Sequence, residues 1–172
     1  GKRPVHWLAE HDWLGKDVWF AHLVACEEDE IRILAETGTS MAHCVQANAR
    51  LGSGIAHADL LHRLGGTVSI GVDGAAANEA ADMISALYAT FSTHRIAKGV
   101  EAVDAETCLH WATAGGARVL GYASIGTLDV GKDADIAIYD LSAPRYLGQH
   151  DRVLGPIIAG GQAHVRFSFV KG

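Results

Sequence analysis

The segment that most constrains the fold of this chain runs from Thr67 to Gly74 and reads Thr-Val-Ser-Ile-Gly-Val-Asp-Gly. Its β-branched and apolar residues predict a buried strand, which runs into a lone carboxylate, Asp73, and then into a loop of small residues. Parallel α/β folds place their ligand-facing side chains at the carboxyl ends of strands. Because burying an unpartnered carboxylate is costly, Asp73 requires a metal, a cation or hydrogen-bond donors nearby.

Strand-like and helical patterns alternate through the first 121 residues. The predicted strands cover residues 18–24, 40–44 and 67–73. Helices are predicted at residues 4–14, 27–37, 57–64, 80–98, 105–113 and 115–120, and a loop containing Gly, Asn and Ser at 46–54. This alternation predicts parallel strands joined by right-handed crossovers and buried on both faces.

The pattern changes near residue 122, where short strands replace helices. Ile125–Leu128 and Ala134–Asp140 flank a turn at 129–132, which is typical of a hairpin. Two further strands are predicted at 153–159 and 163–170, after a loop over 142–151. We therefore expect an α/β domain over residues 1–121 and a separate β layer over residues 122–172.

Composition favours a folded protein that acts on a small molecule. The chain of 172 residues is 49% hydrophobic and 20% charged, with a net charge of −6. This charge argues against a nucleic acid or an anionic membrane as a partner, and no apolar run is long enough for a membrane span or signal peptide. Three separated cysteines without a CxxC pair predict free thiols and a cytoplasmic protein.

Titratable side chains end three consecutive predicted strands: His22, His43 and Asp73. A lone core histidine explains His22 taken by itself, but three such groups at one edge of a parallel sheet favour a shared site. Amide side chains follow two of these strands, at Gln46, Asn48 and Asn78. They suit the donor and acceptor edge of a heterocycle, although turn formation explains them equally well.

Several motifs together resemble the amidohydrolase superfamily. They are Trp-Phe-Ala-His at 19–22, Ala-His-Cys at 42–44, Arg-Leu-Gly-Ser-Gly at 50–54, Ile-Gly-Val-Asp-Gly at 70–74, Ala-Thr-Ala-Gly-Gly-Ala at 112–117, and the residues from Ile125 to Asp135. They occur in the family's order over nearly the whole chain. Within the superfamily, the chain is similar to the branch that deaminates guanine, oxidised guanine and pterins. Residues 11–15, Gln46 and residues 144–151 most resemble deaminases of isoxanthopterin.

The resemblance implies the C-terminal portion of a distorted TIM (β/α)8 barrel, with strands of a small β-sandwich. It implies that Asp73 ligates one divalent metal, usually zinc, and shuttles a proton. His22 would hydrogen-bond the metal-bound water or the tetrahedral intermediate, while His43, Gln46, Asn48 and Asn78 would line the substrate site. Metal-bound hydroxide would then release ammonia from a pterin- or purine-like ring. A homo-oligomer is compatible with the resemblance.

Two departures from the family pattern leave alternatives open. The first-strand His-x-His pair and the fifth-strand His have no counterpart here, so the chain carries one metal ligand of four. Cys44-Val45-Gln46-Ala47-Asn48 also stands where the family has Cys-Pro-x-Ser-Asn. The alternatives are a triazine-type hydrolase that removes chloride or an alkylamine, and an inactive truncated polypeptide.

Overall fold

A computed structural model describes all 172 residues, and its first sheet contains three parallel strands in the order β1-β2-β3. These are β1 (Trp19–Ala21), β2 (Ser40–His43) and β3 (Val68–Ile70). Ala21 pairs with Ala42, and His43 with Ile70. The predicted parallel order is confirmed, with shorter strands than expected. All three carboxyl ends therefore lie at one edge of the sheet.

Nine helices surround and connect these strands. They are α1 (Pro4–Ala9), α2 (Glu28–Thr37), α3 (Val45–Leu51), α4 (Ala58–Arg63), α5 (Ala75–Asn78), α6 (Met83–Lys98), α7 (Ala105–His110), α8 (Gly116–Val119) and α9 (Gly155–Ala159). A π-helical turn (Trp111–Gly115) joins α7 to α8, and a 3₁₀ turn covers Pro144–Tyr146. None of the helices has the length and apolarity that a membrane span requires.

Helix ends follow ordinary capping chemistry. Glu27 and Glu30 form a capping box at the start of α2, and Gly38 ends that helix with a left-handed backbone at φ 76°. Asp82 begins α6 by accepting a hydrogen bond from the Ile84 amide. These caps set where α2 begins and ends and where α6 begins.

The core lies between the sheet and its helices. Ile31 and Leu34 of α2, Met41 of β2 and Trp111 of the π turn are almost completely buried. Gly115 packs so closely against β3 that an added Cβ would lie 2.2 Å from the Val68 carbonyl oxygen. The π turn therefore covers the outer edge of β3 directly. All three cysteines are free thiols, as predicted.

The C-terminal region forms a two-stranded antiparallel sheet of β4 (Ile136–Asp140) and β5 (His164–Phe169). Four strands were predicted after residue 122, and these two lie within two of the predicted ranges, 134–140 and 163–170. The predicted hairpin is wrong, because 125–128 forms no strand. Gly126 instead adopts φ 90° against the helix of residues 116–119, where a Cβ would lie 2.8 Å from that of Ala117.

Two further predictions of local structure are wrong. Residues 153–159 are mostly helix α9, because Pro156 occupies the first turn and Gly160 ends the helix. Residues 46–54 were predicted as a loop, but α3 covers Val45–Leu51 and ends at Gly52, whose φ is 66°. The helix buries Val45 and Ala47, so packing overrides the turn-forming composition.

Candidate active site

His22 and Asp73 meet at the carboxyl edge of the sheet. His22 directly follows β1, Asp73 lies three residues beyond β3, and His22 Nε2 is 3.5 Å from Asp73 Oδ2. Both residues have a left-handed backbone, at φ 68° and 66°. Non-glycine residues rarely adopt this conformation, and such strain concentrates at functional sites. The structure therefore brings together the two side chains that the sequence predicted as catalytic.

Asn48 lies on the other side of the His22 ring. Its Oδ1 is 2.8 Å from His22 Nδ1, and the residue is only 2% exposed. Its Nδ2 is buried without a hydrogen-bond partner. The sequence predicted that Asn48 contacts substrate, whereas in the structure its side chain contacts the catalytic candidate His22.

Cys44 completes a group of three possible metal-ligating side chains, which sequence reasoning missed. Nitrogen, sulfur and oxygen atoms of His22, Cys44 and Asp73 all lie within 4.8 Å of one another. Burial, and next the nearby Asp73 carboxylate, raise the pKa of the Cys44 thiol. The sequence did contain a signal for Cys44, because it directly follows β2. This strand lies between β1 and β3, which precede His22 and Asp73. Imidazole and carboxylate groups are suitable ligands for a divalent metal, so the chemistry of His22 and Asp73 fits such an ion.

Gln46 and Asn78 form a pair that joins α3 to α5. Asn78 Nδ2 donates to the Val72 carbonyl oxygen at 2.7 Å and to Gln46 Oε1 at 3.2 Å. Both amide residues are partly exposed. Because Val72 precedes Asp73 in the chain, this amide pair lies beside the catalytic candidates.

His43 is enclosed in the interior. Its Nε2 is 3.0 Å from Nε2 of His94 on α6, and both residues are completely buried. Burial lowers the pKa of His43 to about 3, helped by His94, and burial lowers the pKa of His94 to about 4. Both rings are therefore neutral at pH 7. The structure does not bring His43 together with the exposed amide pair, and the position of His94 within a helix gave no signal for this contact.

Sequence comparison places the chain in a known family. The profile of the amidohydrolase family matches residues 2–171. The chain belongs to the amidohydrolase family. It is 49% identical to an isoxanthopterin deaminase from an unknown prokaryotic organism, over 100% of this chain and 39% of that protein. The chain thus spans about two fifths of the length of this amidohydrolase.

Solved amidohydrolase structures resemble the chain in fold. One is an adenosine deaminase from Xanthomonas campestris with bound zinc, 35% identical, with a TM-score of 0.94 over 100% of this chain and 40% of that one. Another is a mutant atrazine chlorohydrolase from Arthrobacter aurescens TC1 complexed with zinc and atraton, 32% identical. Its TM-score is 0.93, over 100% of this chain and 39% of that one. Both similarities support the α/β assignment.

Proposed function

We propose that the protein in which this chain occurs is a metal-dependent hydrolytic deaminase of a pterin- or purine-like ring, with isoxanthopterin as the first candidate. The observation that carries the proposal is the approach of His22 Nε2 to Asp73 Oδ2, 3.5 Å apart at the carboxyl edge of the sheet. The similarity to an isoxanthopterin deaminase along the whole chain supports the substrate class. The product beside the deaminated ring would be ammonia.

Asp73 is the metal ligand in this proposal, and zinc is the first candidate because two structural relatives carry it. The remaining ligands would come from residues outside this chain. When bound, the metal supplies a Lewis acid that makes water nucleophilic near neutral pH.

Asp73 and His22 handle protons in the proposed reaction. The Asp73 Oδ1 atom accepts a hydrogen bond from the Gly74 amide at 2.7 Å, which leaves Oδ2 facing His22. Oδ2 therefore takes the proton of the attacking water and delivers it to the departing amino group. The His22 side chain is 40% exposed and can reach the reacting atoms from the side of β1.

The amide pair of Gln46 and Asn78 provides the proposed substrate contact. A carbonyl oxygen can only accept, so the bond to Val72 fixes which atom of the Asn78 amide is nitrogen. Asn78 Oδ1 and Gln46 Nε2 then remain free as one acceptor and one donor. A lactam edge, with its N–H and C=O groups, matches this pair and occurs in oxidised purines and pterins.

The proposed architecture assigns β1, β2 and β3 to the sixth, seventh and eighth strands of a distorted TIM barrel. Residues 1–121 would hold these barrel units, and β4 and β5 would belong to a small β-sandwich within residues 122–172. The parallel order β1-β2-β3 and the similarity to amidohydrolase structures support this assignment.

The proposal is tested with variants of the whole protein in which this chain occurs. Each variant is assayed for ammonia release from isoxanthopterin and for bound metal. Asp73→Asn should abolish turnover and lower the metal content. His22→Asn should retain the metal but lower kcat on the order of 100-fold or more, because a positioned proton-transfer group contributes that much. Glu36→Gln removes an exposed carboxylate on α2 and serves as the matched control. Full rate and full metal content in Asp73→Asn would refute the assignment.

A triazine-type hydrolase is the second candidate, favoured by the fold similarity to an atrazine chlorohydrolase. The two candidates differ in their leaving groups. Release of chloride or an alkylamine from a substituted triazine, with no ammonia from pterins or purines, would select this alternative. A truncated, inactive polypeptide would release none of these products, and the reading frame upstream of Gly1 would then contain no His-x-His pair.

A further inference from the structure

A small cleft opens at the amino end of β3, at the opposite end of this strand from Asp73. It has a volume of about 190 Å³ and lies between the end of α4, the residues that lead into β3, and the helical segment from Ala105 to Val119. Sites that enclose drug-sized ligands have volumes of roughly 300–1,000 Å³, whereas one water molecule needs about 10–15 Å³. The cleft is therefore of a size for a small ion and too small for a large organic ligand.

The polar side chains that line this cleft include no carboxylate. They are those of His62, Thr67, His110 and Arg118. The guanidinium of Arg118 can only donate hydrogen bonds, and none of the ion pairs in the structure involves it. A second surface cleft, of about 140 Å³, differs in this respect, because both Arg32 and Glu36 line it. Positive charge is thus left without a partner in the first cleft only.

Trp111 determines the hydrogen-bonding state of His62. The Trp111 Nε1 atom lies 3.2 Å from His62 Nδ1, and an indole N–H can only donate, so Nδ1 accepts. A neutral His62 ring then carries its hydrogen on Nε2. Trp111 is 1% exposed, and the two rings meet edge to face with their centroids 5.5 Å apart, so the imidazole is held against a fixed side chain. His62 therefore offers a donor at its remaining nitrogen.

Glycines keep the space between these polar groups open. Trp111, Gly115 and Arg118 follow one another at intervals of four and three residues, which places them on one face of the helical segment. Gly65 and Gly66 lie across the cleft from this face, between α4 and β3. Because none of the three glycines has a side chain, an ion can approach the indole, the imidazole and the guanidinium together.

The charges around the cleft favour an anion over a metal ion. Partial burial, and next the nearby His110, lower the pKa of His62, so positive groups influence one another across this small space. The acid that opposes this effect is Asp104, whose carboxylate accepts from the Thr107 amide and does not line the cleft. A divalent cation would meet the Arg118 guanidinium and find no carboxylate ligand, whereas an oxyanion would meet donors.

We propose that this cleft binds a phosphate ion, with Arg118 as the charged partner and His62 Nε2 and the Thr67 hydroxyl as further donors. The planar guanidinium of arginine matches two oxygen atoms of a phosphate group. A bound ion connects α4 to α8 across the start of β3 and stabilises the folded protein by mass action. The site lies apart from Asp73 and does not depend on the proposed function.

Calorimetric titration of the whole protein in which this chain occurs, with inorganic phosphate at pH 7 and constant ionic strength, tests the inference. Arg118→Gln should weaken phosphate binding at least about tenfold, because a hydrogen bond to a charged group contributes that much. Arg118 is exposed, so this variant should fold. Arg32→Gln removes an exposed arginine beside Glu36 and is the matched control, with wild-type affinity expected.

Two further titrations identify the ion and the site. Asp73→Asn should bind phosphate as tightly as the wild type, which separates this cleft from a metal at the carboxyl edge of the sheet. Adenosine monophosphate should bind no more tightly than inorganic phosphate, because the cleft cannot hold a nucleoside; a clear preference for it would overturn the assignment to the free ion.

Three other results would overturn the inference. One is the absence of wild-type binding at phosphate concentrations on the order of 10 mM. Another is binding that is lost in Asp73→Asn and retained in Arg118→Gln, which would place phosphate at the other end of β3. The third is equal weakening by Arg32→Gln and Arg118→Gln, which would show attraction to surface charge without a specific site.

Discussion

Acidification from pH 7 to pH 5 should destabilise the chain through the buried pair of His43 and His94. Both rings are completely buried, 3.0 Å apart, with Asp59 and Lys98 beside them. Burial lowers the pKa of His43 to about 3 and that of His94 to about 4, from 6.5 in the unfolded chain. The unfolded state therefore binds more protons than the folded state below pH 6.5.

The sign and size of the effect follow from this difference in proton binding. Stability is fully present above pH 6.5 and is lost as the pH falls toward the folded-state pKa values. At pH 5 both rings are still neutral in the folded state, whereas both are largely protonated in the unfolded state. At pH 5 each histidine lowers the free energy of unfolding by about 2 kcal/mol relative to pH 7, so the pair lowers it by about 4 kcal/mol. This is a large share of the stability of a typical domain.

Urea denaturation at pH 7 and pH 5 measures this loss. His94→Gln removes one titrating ring and should reduce the loss between the two pH values by about half. His150→Gln changes an exposed histidine in the loop after the 3₁₀ turn and serves as the control, with the wild-type loss retained. The reasoning is refuted if the wild-type chain is equally stable at both pH values, or if His94→Gln loses as much stability as the wild type.

Two further predictions concern the helical segment from Ala105 to Val119. Gly115→Ala should destabilise the chain by at least about 2 kcal/mol, because the new Cβ would lie 2.2 Å from the Val68 carbonyl oxygen. Gly116 is helical, and an added Cβ there would lie 3.9 Å from the Trp111 carbonyl oxygen, so Gly116→Ala should instead raise the melting temperature. A fall equal to that of Gly115→Ala would contradict the packing argument. Asp104 caps α7 by accepting a hydrogen bond from the Thr107 amide at 2.7 Å. Asp104→Ala removes this cap and should lower the free energy of unfolding by about 1 kcal/mol in a urea titration. Asp104→Asn keeps an oxygen acceptor and should retain most of the wild-type stability.

The parallel sheet was predictable because its strands are apolar and end at titratable residues. The errors arose where tertiary contacts outweigh local pattern. Ile157 and Ile158 suggested a strand, but Pro156 and Gly160 delimit a helix that packs against α6. In 125–128, Gly126 approaches a helix instead of pairing with a neighbouring strand.

The candidate site was predictable as far as chain order could place residues at the same edge of the sheet. His22 and Asp73 follow parallel strands, so their proximity followed from topology. The orientation of the Asn48 side chain did not follow from topology. It depends on the start of α3, and this segment was predicted as a loop. Contacts between distant elements, such as that of His43 with His94, leave no periodic pattern in the sequence.

Under the proposed function, the left-handed backbone at His22 and Asp73 sets stability and catalysis in opposition at these two positions. Glycine and asparagine adopt this conformation at lower cost than most residues, and the difference is of the order of 1 kcal/mol. Replacement of either side chain by one of these residues would therefore relax the backbone while it removes a proposed proton-transfer group. Selection for thermostability alone would drift toward inactive variants here, so directed evolution of this protein needs an activity screen at every round.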